Sequence, residues 1–414
     1  MQKNITRLTG QQTLVALAMT VALTMPVPAS ADNENFTLYG QANVSYDMVN
    51  TGAITGQNTT AGISSNRVSS NSSRIGVKGS SDLGSGWAVM FQVEETVGTD
   101  TGASGGEVYG NTSKSARLFD RNTYLGVAKA DVGRLLLGRY DTPYKLSTRS
   151  LDVFADGIAD NRSLMGTTII GGAGGTVTET FDVRQSNLIA YFSPKFAGFS
   201  GALGYANLTE HNSDPSQPSS ASFSLAVLYQ EDQAFASFAY EVHSTTVYST
   251  TEKGDKLTGV KAAKLGLGYK LDILSLGFAY EKSLDDYGNI DPYDAVANPC
   301  GGMSAGANCS GHDTVYVSAK LNFTAADALK LAYSKTGQVG TAKTDTGAHQ
   351  FSVGIDHDFN ERTSMYFLYT LLKNDRLVSY HLSSAATSGA DSVNTSGTGG
   401  AAPSAFSLGV RHSF

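Results

Sequence analysis

Hydrophobic and polar residues alternate one by one along short stretches of this chain, and the alternation recurs to its last residue. Ser72 to Glu95 carries it plainly. Ile75 and Val77 alternate with Arg74, Gly76 and Lys78, and after a turn Trp87, Val89, Phe91 and Val93 alternate with Ala88, Met90, Gln92 and Glu94. A period of two sends successive side chains to opposite faces of a strand. In a soluble sandwich the apolar face is the core. In an outer-membrane barrel it meets lipid, and the polar face encloses water. This hairpin fits either, so the rest of the chain has to discriminate.

From Phe36 about sixteen strands are predicted, with no amphipathic helix of membrane-spanning length. FTLYGQANVSYD is the first, with Phe36, Leu38, Ala42, Val44 and Tyr46 on one face. A polar loop is expected between it and the Ser72–Glu95 hairpin. NTYLGVAK and GRLLLGR follow, then SNLIAYFS and GFSGALGYA, and the rhythm runs on to a final AFSLGVRHSF. Turns of a few residues, such as Glu231-Asp232 and Asn360-Glu361-Arg362, alternate with long loops such as Asn207 to Ala221, Leu284 to Asp313 and Asn374 to Ser404. Bacterial barrels have that asymmetry, short turns on the periplasmic side and long loops outside. On the face assigned to lipid, Tyr229, Tyr269, Tyr280, Tyr333 and Phe359 fall near strand ends, and Trp87 opens its strand, where amphipathic rings settle at headgroup level. The expected fold is therefore all-β, a transmembrane antiparallel β-barrel of about sixteen strands.

The N-terminus agrees with export. Lys3 and Arg7 give a positive start, Leu14 to Leu23 is an apolar run too short to span a bilayer, and Ala29-Ser30-Ala31 is a small-residue cleavage site. Residues 1–31 are expected to be a cleaved signal peptide and 32–414 the barrel. The formal charge of −7, less the two positive charges of Lys3 and Arg7, leaves −9, which argues against a nucleic-acid partner. In an exported chain Cys300 and Cys309 are expected to form one disulfide in a loop, since no further ligands at zinc spacing accompany them.

About sixteen strands leave an aqueous channel. Asp141 to Val183 is the longest interruption of the strand series, and LDVFADGIADNRSL within it spaces Asp152, Asp156 and Asp160 four residues apart. A helical turn or two would align these carboxylates on one side, with Val153, Phe154 and Ile158 as anchors. Opposite charge is expected from the wall, where Arg74 and Lys78 lie on the polar face. Arg121 is a looser candidate for the same basic wall, since its parity with Leu125 and Val127 points it outward if the strand is already regular there. Arg139, at the end of its strand, is a further candidate for that wall on the same condition. Carboxylates facing guanidinium groups across a narrow passage create a transverse field that low-dielectric walls focus and that biases ion selectivity. Alternatively, the arginines pin the loop acids and do no more.

Several segments resemble the general bacterial porins of Gram-negative cells, which are trimers of sixteen-stranded barrels: FTLYGQANVSY, SRIGVKGSSDLGSGWAVMFQVE, RNTYLGVAKADVGRLLLGR, DVRQSNLIAYFSP and the terminal FSLGVRHSF. The resemblance implies that the third external loop, here residues 141–183, folds into the lumen as a constriction. It matches Arg74 and Arg184 to pore-lining arginines, and Phe414 to the terminal aromatic read by the barrel-assembly machinery. It further implies a homotrimer in the outer membrane, bathed in lipid and lipopolysaccharide, passing small hydrophilic solutes and ions. A substrate-selective channel of the same fold, or an adhesin or receptor using its long loops, are the competing readings.

Catalysis and cofactors find no support. The histidines His211, His243, His312, His349, His357, His381 and His412 stand mostly in loops or at strand ends, none in a Ser-His-acid setting. Asp285, Asp286, Asp291 and Asp294 share a loop but match no calcium-loop spacing.

Overall fold

The computed structural model describes residues 35–53, 62–100, 119–170, 175–179, 181–208, 219–246, 256–257, 261–284, 311–338, 345–376, 378–382 and 400–414. Residues 1–31, Cys300, Cys309 and the acids Asp285 to Asp294 lie outside them.

Among the described residues sixteen antiparallel wall strands are present. They are β1 (Asn35–Asn50), β2 (Ser64–Ser70 and Arg74–Gly84), β3 (Trp87–Thr96), β4 (Thr123–Lys129), β5 (Gly133–Asp141) and β6 (Arg184–Phe192). Next come β7 (Phe199–Asn207), β8 (Ser219–Glu231), β9 (Ala234–Thr246), β10 (Lys261–Lys270, prolonged by Lys256–Leu257) and β11 (Leu274–Leu284). The series ends with β12 (Asp313–Asn322), β13 (Asp327–Thr336), β14 (Ala348–Asn360), β15 (Thr363–Asn374) and β16 (Ser404–Ser413). Each pairs with the next, and β16 returns to β1 with Val410 opposite Val44, so the sheet is closed and has no free edge.

β2 departs from the sequence expectation. Ser64–Ser70, placed in a polar loop by sequence, continues the wall: it pairs with Val44 to Asn50, while Arg74 to Ser80 pairs with Gln41 to Asn35. The two pieces meet at a break where Ser72 takes a φ of 56°. SSNRVSS has no apolar alternation to read; its single aliphatic side chain, Val68, is exposed on the outer face.

The faces are those of a lipid-bathed barrel. Ile75 is 42% exposed and Leu276 45%, whereas Gln92 is 6% exposed. Leu125, Leu137, Leu203, Leu267, Ile355 and Leu408 extend the outer row, and Trp87, Tyr269, Tyr333 and Phe359 are exposed near strand ends. Inward positions carry Ala, Ser, Gly and charged residues, among them Ala262, Lys264, Ala279, Glu281 and Ser318, all buried.

They are buried because chain covers them. Between β5 and β6 lie a one-turn helix, α1 (Pro143–Leu146), two 3-10 turns (Arg149–Leu151 and Asn161–Ser163), and a hairpin of Thr167–Ile170 with Gly175–Glu179. This segment rests on the inward row of the far wall. Ser318 Oγ on β12 donates to the Leu151 carbonyl at 2.7 Å, and Tyr316 Oη donates to Asp152 Oδ1 at 2.9 Å. Small residues make the seat: a Cβ on Gly354 of β14 would stand 2.9 Å from the Phe154 ring, and one on Gly277 of β11 3.1 Å from the Leu151 carbonyl oxygen. Leu151, Phe154, Ile158, Leu164 and Met165 thereby join one apolar cluster with Ala279, Tyr316, Leu368 and Leu372 of the wall. Each such side chain stabilises the seat by roughly 1.5–3 kcal/mol.

A second segment between strands reaches the same cluster. Val378–Ser379, after β15, pairs in parallel with Gly175–Thr176 of the hairpin, and Val378, Tyr380 and Leu382 are buried in the cluster.

Candidate functional site

Facing the seated segment across the interior are β2 to β6. Arg74 opens the second piece of β2 on its inward row, and Glu94 stands inward near the end of β3. Arg74 Nε lies 3.8 Å from Glu94 Oε2, Arg121 Nε lies 2.6 Å from Glu94 Oε1, and Tyr39 Oη donates to Glu94 at 2.9 Å. One carboxylate thus holds two guanidinium groups side by side. Burial works against the charge on Arg121, but Glu94 outweighs it and raises the pKa. The outward direction that strand parity would give Arg121 does not arise. β4 becomes regular only at Thr123, so strand parity does not extend back to Arg121.

Arg184 opens β6 and reaches across to β5, 3.3 Å from Asp141 Oδ1, while its Nε donates to Asn122 Oδ1 at 2.5 Å. Lys145 of α1 lies 2.8 Å from the same Asp141. Burial lowers the Lys145 pKa to about 8, with Asp141 holding it from falling further. Lys78 follows Arg74 on the inward row, its ammonium 5.2 Å from the centre of the Tyr39 ring. Arg139 is directed elsewhere. Gly138 adopts a φ of 145° and the β5–β6 register shifts there, so Arg139 donates to the Asp120 carbonyl at 2.6 Å and to Ser186 Oγ at 2.7 Å.

The loop acids converge, but not through a helix. The chain from Asp152 to Asp160 is a series of turns, with Asp156 at a φ of 62°. What gathers them is Arg149, whose guanidinium lies 3.5 Å from Asp152, 2.9 Å from Asp156 and 2.7 Å from Asp160. Arg162 adds a second cation 3.1 Å from Asp160. Burial and the neighbouring Asp160 charge push the Asp152 carboxyl up to about 6. Burial also opposes ionisation of Asp156 and Asp160, yet Arg149, with Arg74 for the former and Arg162 for the latter, holds both well below the usual carboxylate range.

Wall and loop meet at Arg74 and Asp156, whose Nη1 and Oδ2 are 3.5 Å apart. Their side chains retain 24% and 28% exposure, whereas those of Asp152 and Asp160 retain none. The solvated gap in the charge network thus runs along that seam. Sequence reasoning brought Arg74, Arg184 and the three aspartates forward and missed Glu94, Asp141, Lys145, Arg149 and Arg162. The available signal for Arg149 was its position three, seven and eleven residues before the aspartates, a spacing read only from Asp152 onward. Phe414 closes the seam of the barrel, with its backbone exchanging hydrogen bonds with Gly40 at 3.0 and 3.1 Å.

Comparison with known proteins gives one family model, described as Gram-negative porin, matching residues 16–377. Outer membrane porin protein 32 of Delftia acidovorans is 25% identical over 98% of this chain and 100% of its own length. Major outer membrane protein P.IB of Neisseria lactamica is 24% identical over 90% and 97%. Among solved structures, the anion-selective porin from Comamonas acidovorans superposes with a TM-score of 0.66 at 22% identity, covering 92% of this chain and all of its own. OmpT of Vibrio cholerae gives a TM-score of 0.58 at 15% identity, covering 93% and 99%.

Proposed function

The chain belongs to the Gram-negative porin family, an outer-membrane β-barrel, and from that premise we propose that it is a passive diffusion channel for small hydrophilic solutes and ions. In this reading residues 141–183 form the constriction, and Arg74 and Asp156 line its narrowest part. The carrying observation is the seam itself: an arginine of the wall and an aspartate of the loop stand 3.5 Å apart, both partly solvated, the first backed by buried Glu94 and the second by Arg149. A solute with a dipole can orient in the field between such groups, while an apolar solute has to displace ordered water.

The local charge favours anions. Around the passage stand seven cations, Arg74, Lys78, Arg121, Lys145, Arg149, Arg162 and Arg184, against five carboxylates, Glu94, Asp141, Asp152, Asp156 and Asp160. The charge of −9 on residues 32–414 sums acids over the whole of that length, whereas screening makes the charges nearest the passage the ones that govern. The anion-selective character named for the Comamonas acidovorans porin is in keeping with this. The test is the reversal potential across a salt gradient in planar bilayers. Wild type is expected to prefer chloride over potassium, and Arg74→Gln with Arg184→Gln to move the ratio toward cations by several-fold. An unchanged ratio would leave the arginines as loop pins only.

Homotrimer formation belongs to the same proposal and is supported by the trimer form of OmpT. So does the role of Phe414 in outer-membrane assembly, together with residues 1–31 as a cleaved export signal.

A further inference from the structure

A second buried charge cluster, apart from the seam, touches the 141–183 segment at three places along its length. Lys264 of β10 and Glu281 of β11 face each other across paired strands, with Lys264 Nζ 3.5 Å from Glu281 Oε2 and 2.5 Å from Oδ1 of Asp182. Glu281 in turn accepts from Tyr144 Oη at 2.7 Å and from the Gly166 backbone N–H at 2.7 Å. Lys264 Nζ also sits 4.2 Å from the centre of the Tyr144 ring. Tyr144 belongs to the outgoing arm, Gly166 to the base of the hairpin and Asp182 to the returning arm. Three points of the segment, spread over almost its whole length, are fastened to two adjacent side chains of the wall.

The backbone is shaped for this convergence. Gly166 has a φ of 74°, and a Cβ there would stand 2.7 Å from the Asp182 Cβ, while Phe181 N–H donates to the Gly166 carbonyl at 3.0 Å. The hairpin base is therefore drawn shut where Glu281 and Lys264 hold it. Phe181 packs on Tyr144 and on His243, and His243 lies 2.7 Å from Glu241 of β9, which borders the cluster on its other side. Lys264, Glu281 and Asp182 are all buried, so breaking one partner leaves an uncompensated charge in a dry place.

We infer that Lys264 and Glu281 are positioning residues that clasp the two arms of the 141–183 segment together and thereby set the aperture and size limit of the channel. The inference rests on the reading of this segment as the constriction. It differs in kind from the seam: the clasp touches no solute and fixes where the loop stands, while Arg74 and Asp156 supply the field.

The experiment measures single-channel conductance, open-channel noise and liposome swelling in neutral sugars of increasing size. Lys264→Met keeps bulk but strands two carboxylates. It is expected to raise conductance by about 1.5-fold or more, to increase noise and to admit larger sugars, in a barrel that still inserts. Lys264→Arg should stay near wild type, and Asp182→Asn, which frees only the returning arm, should fall between. Wild-type conductance, noise and size limit in inserted Lys264→Met and Asp182→Asn barrels would overturn the clasp. If Lys264→Met does not fold, Asp182→Asn decides by the same three readings. Failure of the wild-type protein to form channels at all would instead remove the porin reading, so the two failures are distinct.

Discussion

Asp152 is a loop carboxyl whose charge changes just below neutral pH. Its carboxyl titrates at about 6 against roughly 3.9 for a free aspartate, because it is buried next to Asp160. The folded chain therefore keeps this proton after the unfolded chain has lost it. The stabilising contribution is fully present below about pH 4 and is lost as pH rises through about 6. Asp156 and Asp160, held low by Arg149, stay ionised over that window. Lowering pH from 7.5 to 5 should thus remove one negative charge beside the passage, after Lys145 has completed its protonation near the upper end, and shift the reversal potential further toward anions. Asp152→Asn should remove the part of the shift that falls between about pH 7 and 5. Arg149 is the complementary case. Arg149→Met leaves three carboxylates without their shared cation, a loss of about 3–5 kcal/mol for a buried pair with a partner removed. Limited proteolysis should then cut near residues 152–160, which wild type protects.

At the scale of the element, each strand is a lipid-facing row and an inward row, and substitutions should divide accordingly. Leu203, mid-strand on β7, is exposed on the outer face, while its neighbour Ala202 is buried against the inner cluster. Leu203→Arg should destabilise the barrel by roughly 2–4 kcal/mol in urea titrations in lipid vesicles, and Leu203→Ile should change little. The rows were legible from sequence because alternation is imposed locally by the pleat. Two elements were not. Ser64–Ser70 is a strand only because β1 offers it a partner, and nothing in a run of serines announces that. The turns from Asp152 to Asp160 replace the expected helical alignment because the segment is shaped by its seat. Phe154 lies against Gly354, Leu151 against Gly277, and Asp152 accepts from Tyr316.

On the scale of the whole molecule, closure of β16 on β1 turns a row of hairpins into a vessel, and two of the segments between strands meet in one cluster against its inward row. A homotrimer should follow from lateral packing of such barrels, and light scattering in detergent should return three times the protomer mass. A monomer at all protein concentrations would sink that expectation.

The sequence by itself determined the wall, both the number of strands and which side chains face lipid, since each is written in spacing of a few residues read against one solvent. It also brought forward Arg74, Arg184 and the aspartates as charges of the interior. Which charges meet was decided only by the tertiary structure. Glu94 joins Arg74 to Arg121, Arg149 collects three acids, and Lys264 with Glu281 receives Tyr144, Gly166 and Asp182. Many of these partners are tens to more than a hundred residues apart. They are brought together by closure of the sheet and by the path of one loop through it, and local alternation encodes neither.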